Sequence, residues 1–438
     1  MARVSSWALR ASPRILVPLV ATFVTLLGGL AHADPKPWFV DEAALPFTAL
    51  PGAKAYWGAH AGSGYRIEVP DNWNGELVMY AHGFRGTPPN LTVSNPSIRA
   101  HLISKGYAWA ASSYSANGYM PGQGAKDTHA LMQFFNGLIG APQRVYIAGH
   151  SMGGHVTGIA IEQWPNAFAG ALPMCGVMGD AELFDYFQDV YLVGETLIGN
   201  TPIVPMPADY PTVGRSALRA ALGPNYPSVL NPTGLIFKEI VENLSGGQRP
   251  IFNQGWLGSV GGNFILAQSG TGNGRENVNT IYQFDGDPAL SAEEQAFNAL
   301  IIRVAADPKY RRKEGLGPYP GSRGDVDSPP INGEIDIPVV TLHTIGELFV
   351  PFSMEQIYAR RVASNGGSNL LVQRAIRDVN HCGFTTAEQT RAFDDLVNWV
   401  VNGVKPGGDD VLNPTAVAAP TFGCAYTSVT RPGLPACP

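Results

Sequence analysis

The sequence predicts an α/β protein: a mainly parallel sheet flanked by helices, interrupted by an inserted, mostly helical cap. Three observations predict it. Short apolar runs alternate with helix-length stretches from residue 76 to residue 174 and again from 337 to 404. That rhythm lapses between about 179 and 333. The run Gly149-His150-Ser151-Met152-Gly153 falls where a strand pattern gives way to a helix pattern. Strands that alternate with helices need crossover connections, which make neighbouring strands parallel and cover both faces of the sheet.

The chain opens with Arg3, Arg10 and Arg14 ahead of the apolar run Ile15 to Leu30, followed by Ala31-His32-Ala33. This is the pattern of a secretory signal with a small-residue cleavage site, so residues 1–33 are set apart from the fold and a secreted or periplasmic location is expected. The apolar run is short for a span and holds Pro18 and two glycines, so no stable membrane span is expected after cleavage. The segment carries three of the 29 basic residues and none of the 35 acidic ones; the rest of the chain keeps 26 against 35, a formal charge of −9. An acidic chain without basic tracts argues against a nucleic-acid partner.

The elements then follow in order. Ala53–Ala59 and Tyr65–Val69 flank Gly62-Ser63-Gly64 and predict a hairpin. Asp71 to Gly75 is turn-rich and leads into the strand Glu76–Ala81. Next come a helix over Pro96–Ser104, a strand Ala108–Ser112, a helix Ala125–Ile139, a strand Arg144–Ala148, a helix Met152–Gln163 and a strand Ala169–Met174. Between 179 and 335, helical pieces such as Ala181–Val193 and Ser291–Ala305 are separated by Gly/Pro loops, too long a stretch for one loop in a compact domain. Regular order resumes with the strand Ile337–His343, a helix Met354–Val362, a strand Asn369–Ile376 and a closing helix Ala387–Val404. The expected organisation is a core in two parts, 34–178 and 336–404, a cap over 179–335, and a tail over 405–438. Aromatic stretches of the cap, Phe184-Asp185-Tyr186-Phe187 and Trp256-Leu257, suit either an apolar acyl pocket or the cap's own core.

Four cysteines allow two disulfides in three connectivities. Cys424 and Cys437 bracket a Pro/Gly-containing tail without helix or strand pattern, and their pairing would staple a loose end. Cys175 then falls to Cys382, a bond that would tie the loop after one strand to the loop holding His381; a free buried pair is the alternative. No Cys-x-x-Cys or His-Glu-x-x-His occurs, so neither a metal site nor a cofactor is expected. Oligomeric state leaves no trace in the sequence.

A serine on a sharp strand-to-helix turn, with glycines on either side to let the turn close, presents an exposed hydroxyl. Ser151 in Gly149-His150-Ser151-Met152-Gly153 fits that description, and His82-Gly83-Phe84-Arg85-Gly86, Gly346-Glu347-Leu348-Phe349-Val350-Pro351 and Asn380-His381-Cys382-Gly383-Phe384 each follow a strand pattern. Together, in this order, these four motifs resemble the α/β-hydrolase superfamily over roughly 53–178 and 336–404. The resemblance implies an elbow at Ser151, an oxyanion loop at His82–Gly86, an acid loop at Glu347 and a histidine loop at His381.

The chemistry assigns roles separately. A serine hydroxyl needs a base to take its proton, worth about 10²- to 10⁴-fold, and imidazole has the suitable pKa. Of nine histidines, His32 leaves with the signal, His60, His82, His101, His129 and His150 precede the serine, His155 lies one turn into its helix, and His343 sits within a strand before the acid loop. His381 alone follows both serine and acid. The base needs a carboxylate to fix its tautomer, and Glu347 sits a short loop beyond its strand; Asp180 is the rival acid and Asp378 a weaker one. The developing oxyanion needs backbone donors, which Phe84 and Met152 are placed to supply.

The expected activity is hydrolysis of carboxylic esters through an acyl-enzyme, on a small-molecule or polymeric ester. A peptidase or amidase of prolyl-oligopeptidase type would use the same residues. A binding module on a hydrolase fold is the third reading; such a module should have lost a triad member, whereas this chain supplies all three.

Overall fold

A computed structural model describes residues 38–272, 274–307 and 329–438. The expected signal, residues 1–33, lies outside the described residues.

Eight strands form one sheet: β1 (Ala53–His60), β2 (Ser63–Pro70), β3 (Glu76–Ala81), β4 (Ala108–Ser112), β5 (Arg144–His150), β6 (Gly170–Met174), β7 (Val339–Thr344) and β8 (Leu371–Ile376). Across the sheet they run in the order β8-β7-β6-β5-β3-β4-β2-β1. The β1–β2 hairpin and the β2–β4 pair are antiparallel, and every other neighbouring pair is parallel. Residues 39–40 and 90–91 pair as a small separate ladder. In register, Ala81 of β3 faces Gly149 of β5 and His150 faces Met174 of β6. The parallel strands therefore deliver their following loops to one edge of the sheet, where sites of open α/β folds lie.

Alternation along each strand builds two cores. Leu77, Met79, Ile147 and Val339 point to one face and pack on α2 (Pro121–Leu138), α3 (Met152–Gln163) and α10 (Ser353–Ser364). Val78, Tyr80, Tyr146, Leu172 and Leu342 point to the other and pack on α1 (Arg99–Ser104) and α11 (Thr386–Asn402). The central strands are buried on both sides, so they read as continuous apolar runs rather than alternating ones.

Between β6 and β7 lie α4 (Glu182–Leu197), α5 (Gly214–Leu222), α6 (Pro232–Leu244), α7 (Phe252–Trp256), α8 (Gly262–Gln268) and α9 (Ala292–Leu300). These helices share a core of their own, including Val190, Leu218, Phe237, Trp256 and Leu266, which continues into Leu348 and Val350 after β7. Tyr186, Phe187 and Trp256 are buried in it, while Phe184 is half-buried at its edge.

Three elements differ from expectation for local reasons. The first helix begins at Arg99 rather than Pro96, because the Pro96 carbonyl accepts from the Arg99 N–H in a turn. Helix α2 begins at Pro121, four residues early: proline suits the first turn, and Gly124, which weakens the helix signal, lets α3 approach so closely that a Cβ there would lie 2.8 Å from Val156 Cγ2. The helix expected to reach Ala305 stops at Leu300, although its start carries the capping box of Ser291 and Glu294. The tail is not loose. It forms α12 (Pro414–Ala418), and Arg431 binds Glu388 at the start of α11 (2.6 Å) and Asp378 before the His381 loop (2.9 Å). Both expected disulfides are present, Cys175–Cys382 and Cys424–Cys437.

Candidate active site

Ser151 stands between β5 and α3 with φ 58° and ψ −122°, a conformation L-residues avoid, and its N–H donates to Met174 O (2.9 Å). The glycines make the turn possible. A Cβ on Gly149 would fall 2.1 Å from Gly153 O, and one on Gly153 would fall 2.1 Å from Ala81 O. Backbone surrounds both positions, so no side-chain shift can relieve either clash. The elbow is thus closed against the end of β3, and the oxyanion loop follows at once. Gly83 faces the nucleophile so tightly that a Cβ there would be 3.1 Å from Ser151 Cβ.

The loops after β7 and β8 bring the other two groups. Glu347 Oε2 accepts from His381 Nδ1 (2.6 Å), which puts the ring proton on Nδ1 and leaves Nε2 free to accept from Ser151 Oγ (2.7 Å). Glu347 is fully buried; its Oε1 accepts from Thr344 Oγ1 (3.0 Å) and its Oε2 also from the Val350 N–H (3.2 Å). Such a set can draw a proton from the hydroxyl while keeping the imidazole in one tautomer.

The loop carrying Glu347 is gripped from the segment between β6 and β7. Gly255 of α7 lies so close that a Cβ on it would be 1.8 Å from Gly346 O, and the Arg249 guanidinium donates to Ile345 O (2.6 Å). The loop carrying His381 is held by Asp378, which accepts from the Asn380 N–H (2.8 Å), and by the Cys175–Cys382 bond. Asp378 therefore shapes this loop rather than facing the imidazole.

Asp180, the rival acid, is not brought to His381. Its carboxylate accepts from Arg361 (2.7 Å) and from the Ile331 N–H (2.9 Å), and it bonds the Ala181 N–H. It fastens the chain just before α4 to α10.

Phe84 and Met152 frame the serine, one after Gly83 and one at the first position of α3. Among the described residues neither backbone N–H has a hydrogen-bond partner. Met152 is at a helix start, where N–H groups are unpaired and the dipole favours negative charge.

Three other histidines near the serine have their pKa lowered. Burial pushes His150, His155 and His82 down to about 4. His150 lies between Tyr80 Oη (3.2 Å) and Gln389 Oε1 (3.1 Å); His155 between Tyr119 Oη (3.1 Å) and Pro329 O (3.0 Å); His82 stacks on Tyr114 at 4.0 Å. Each supports a loop without reaching Ser151 Oγ. His343, set aside in the sequence as a strand residue, lies 3.7 Å from Glu347 and 3.4 Å from Glu355 of α10. Only the neighbourhood of His343 and Glu347 in the chain hints at that contact, and Glu355 gives no sign of it.

An aromatic arc runs from one side of the serine to the other. Phe84 is followed by Tyr119 at 6.4 Å, Phe184 at 5.0 Å, Phe187 at 6.1 Å, Phe349 at 6.2 Å and finally the His381 ring at 5.1 Å. Phe84 is 47% exposed, and Tyr119, Phe184 and Phe349 are half-buried, so these rings keep accessible surface. Residues so far apart in sequence carry no shared pattern, and of the arc the sequence singled out only Phe184 to Phe187 as candidates for an acyl pocket.

Cys175, His381 and Cys382 cluster within metal-ligating distance, but both sulfurs are consumed by the disulfide. No helix among the described residues is long and apolar enough to cross a membrane. The two disulfides are compatible with a secreted or periplasmic protein.

Residues 104–210 match the model of the prolyl oligopeptidase family. An o-phthalyl amidase from Xanthobacter agilis is 23% identical over 420 residues, covering 82% of this chain and 90% of its own. Among solved structures, feruloyl esterase B from Aspergillus oryzae is 14% identical and covers 81% of each chain with a TM-score of 0.44. Proline iminopeptidase from Mycobacterium smegmatis is 12% identical, covering 80% of this chain and 98% of its own with a TM-score of 0.38. Strand order, the elbow at Ser151 and the family match over 104–210 make the chain a member of the α/β-hydrolase superfamily and a serine hydrolase.

Proposed function

We propose that the protein cleaves amides of aromatic carboxylic acids through an acyl-enzyme on Ser151, with esters of the same acids as a second substrate class. The observation that carries the reading is the unbroken hydrogen-bond line from Ser151 Oγ through His381 to Glu347. Ser151 Oγ attacks the acyl carbon while its proton passes to His381 Nε2, and Glu347 stabilises the imidazolium that results. The carbonyl oxygen takes the negative charge and turns to the Phe84 and Met152 N–H groups, each such donor being worth about 10²- to 10³-fold. His381 then returns the proton to the departing nitrogen or oxygen. A water then attacks the acyl-enzyme with its proton going to His381 Nε2, which passes it to the departing Ser151 Oγ; the carboxylic acid leaves and Ser151 is regenerated.

Amides are supported by the likeness to an o-phthalyl amidase over most of both chains and by the prolyl oligopeptidase family match. The ester reading shares every step, because the triad differs only in what His381 protonates. The aromatic arc supports an aryl acyl group, since ring faces and edges pack well against one another. The helices of the insertion serve in this reading as a cap that selects the acyl group, because they supply Phe184 and Phe187.

Matched anilides and phenyl esters of benzoic, phthalic and butyric acids test it. The expected result is turnover of both bond types, aryl acids favoured over butyric in kcat/KM, and a loss of that preference in Phe184→Ala through KM. Equal rates for all three acids would remove the aryl assignment, and turnover by Ser151→Ala would remove the mechanism.

A further inference from the structure

Beneath Glu347 lies a second imidazole that the reaction does not touch. His343 is fully buried in β7, and its Nε2 donates to Val350 O (2.9 Å) while lying 3.7 Å from Glu347 Oε1. Its Nδ1 faces Glu355 Oε1 at 3.4 Å, and neither of these two buried atoms has another partner. A neutral ring with its proton on Nε2 would set a nitrogen lone pair against a carboxylate in a dry interior, which is repulsive. The other oxygen, Glu355 Oε2, already accepts from Thr341 Oγ1 and from Gln373 Nε2 (2.6 Å), so the carboxylate is satisfied as an anion and the missing proton belongs on the ring.

We propose that His343 is an imidazolium in the resting protein and a positioning residue: it is the buried counter-charge that faces Glu347 and keeps it turned toward His381. Burial alone would push its pKa down, but Glu355 and then Glu347 outweigh burial and hold it above the ordinary value. The other groups facing this cluster are Tyr186 and Arg249 from the insertion side, near Glu347, and Tyr358 with Glu162 behind Glu355. The arrangement gives glutamate a use at this position: a side chain reaching back over the strand meets His343 with one oxygen and His381 with the other.

The proposal rests on the triad reading above, so its test has one arm that needs no turnover. Glu355→Gln keeps the shape and both acceptor bonds, and its amide can donate to Nδ1 of a neutral His343. Ring-nitrogen NMR of histidine-labelled protein should show both His343 nitrogens protonated at pH 8 in the wild type and Nδ1 deprotonated in Glu355→Gln. In kinetics with p-nitrophenyl benzoate, His343→Gln, which removes the positive charge and leaves Glu355 in place, should raise the acid limb of kcat/KM by about one pH unit and lower kcat about tenfold with KM unchanged. Glu355→Gln removes the anion together with the cation, so it should move the limb less and in the same direction. A wild-type His343 with one bare nitrogen, or a folded His343→Gln with an unmoved profile, overturns the proposal. Turnover that survives in Ser151→Ala would instead defeat the triad reading, leaving the NMR result to decide the charge on His343.

Discussion

Glu347 Oε2 lies 2.6 Å from His381 Nδ1, closer than any other carboxylate of the described residues comes to that ring. Asp180, by contrast, is committed to Arg361 and the backbone of Ile331. Glu347→Gln should therefore lower kcat by about 10³- to 10⁴-fold, because the ring loses the partner that fixes its tautomer. Asp180→Asn should keep kcat within about threefold while costing up to about 3 kcal/mol of stability, the penalty of an arginine left with less anionic company. Steady-state kinetics beside thermal melts separate the two; collapse of kcat in Asp180→Asn would reassign the acid.

The elbow depends on a glycine with no room to grow. Gly153→Ala places a methyl group 2.1 Å from Ala81 O, and the atom in the way is backbone of β3. We expect a loss of at least about 3 kcal/mol, read as a fall in Tm and soluble yield, together with lost activity. An alanine variant melting like the parent would mean the elbow is looser than its geometry implies.

The Cys175–Cys382 bond spans 207 residues of chain and ends beside His381. Replacing both cysteines by serine should cost about 2–4 kcal/mol and lower kcat about tenfold, with KM little changed, since the bond holds a catalytic loop rather than the acyl pocket. Calorimetry and kinetics on the double variant check both effects. A fall in Tm with kcat intact would make the bond a stabiliser only.

His155 is neutral in the folded protein, with its pKa pushed by burial from an ordinary 6.5 down to about 4. Below pH 6.5 the unfolded chain binds a proton there that the folded chain does not, so stability is full above 6.5 and lost as pH falls toward 4. One such site contributes a slope of about 1.4 kcal/mol per pH unit. His155→Gln should flatten the stability profile by about that much between pH 4 and 6.5, leaving the profile above 7 parallel to the parent's. Urea titrations at several pH values measure it, and parallel profiles throughout would refute the neutral assignment.

What could be read from the sequence is what local chemistry writes locally. The strands flanking Ser151 are apolar on both faces because helices cover both, and the four motif loops follow strands whose ends meet at one edge of the sheet. Hence Ser151, Glu347 and His381 were legible although 230 residues separate the first from the last. The rest is written between distant elements. Asp180 stands as the rival in the sequence because only Arg361, 181 residues away, reveals its commitment. His343 looked inert because Glu355 reaches it across the β7–α10 packing, and Arg431 gave no hint of binding Glu388 because its segment has no periodic pattern.

The most direct test is trapping the acyl group. Incubation with p-nitrophenyl benzoate at mildly acidic pH, where deacylation lags, followed by intact mass and peptide mapping, should find one benzoyl group on the peptide holding Ser151 and none in Ser151→Ala. Benzoylation of another residue, or full turnover by Ser151→Ala, would contradict the account.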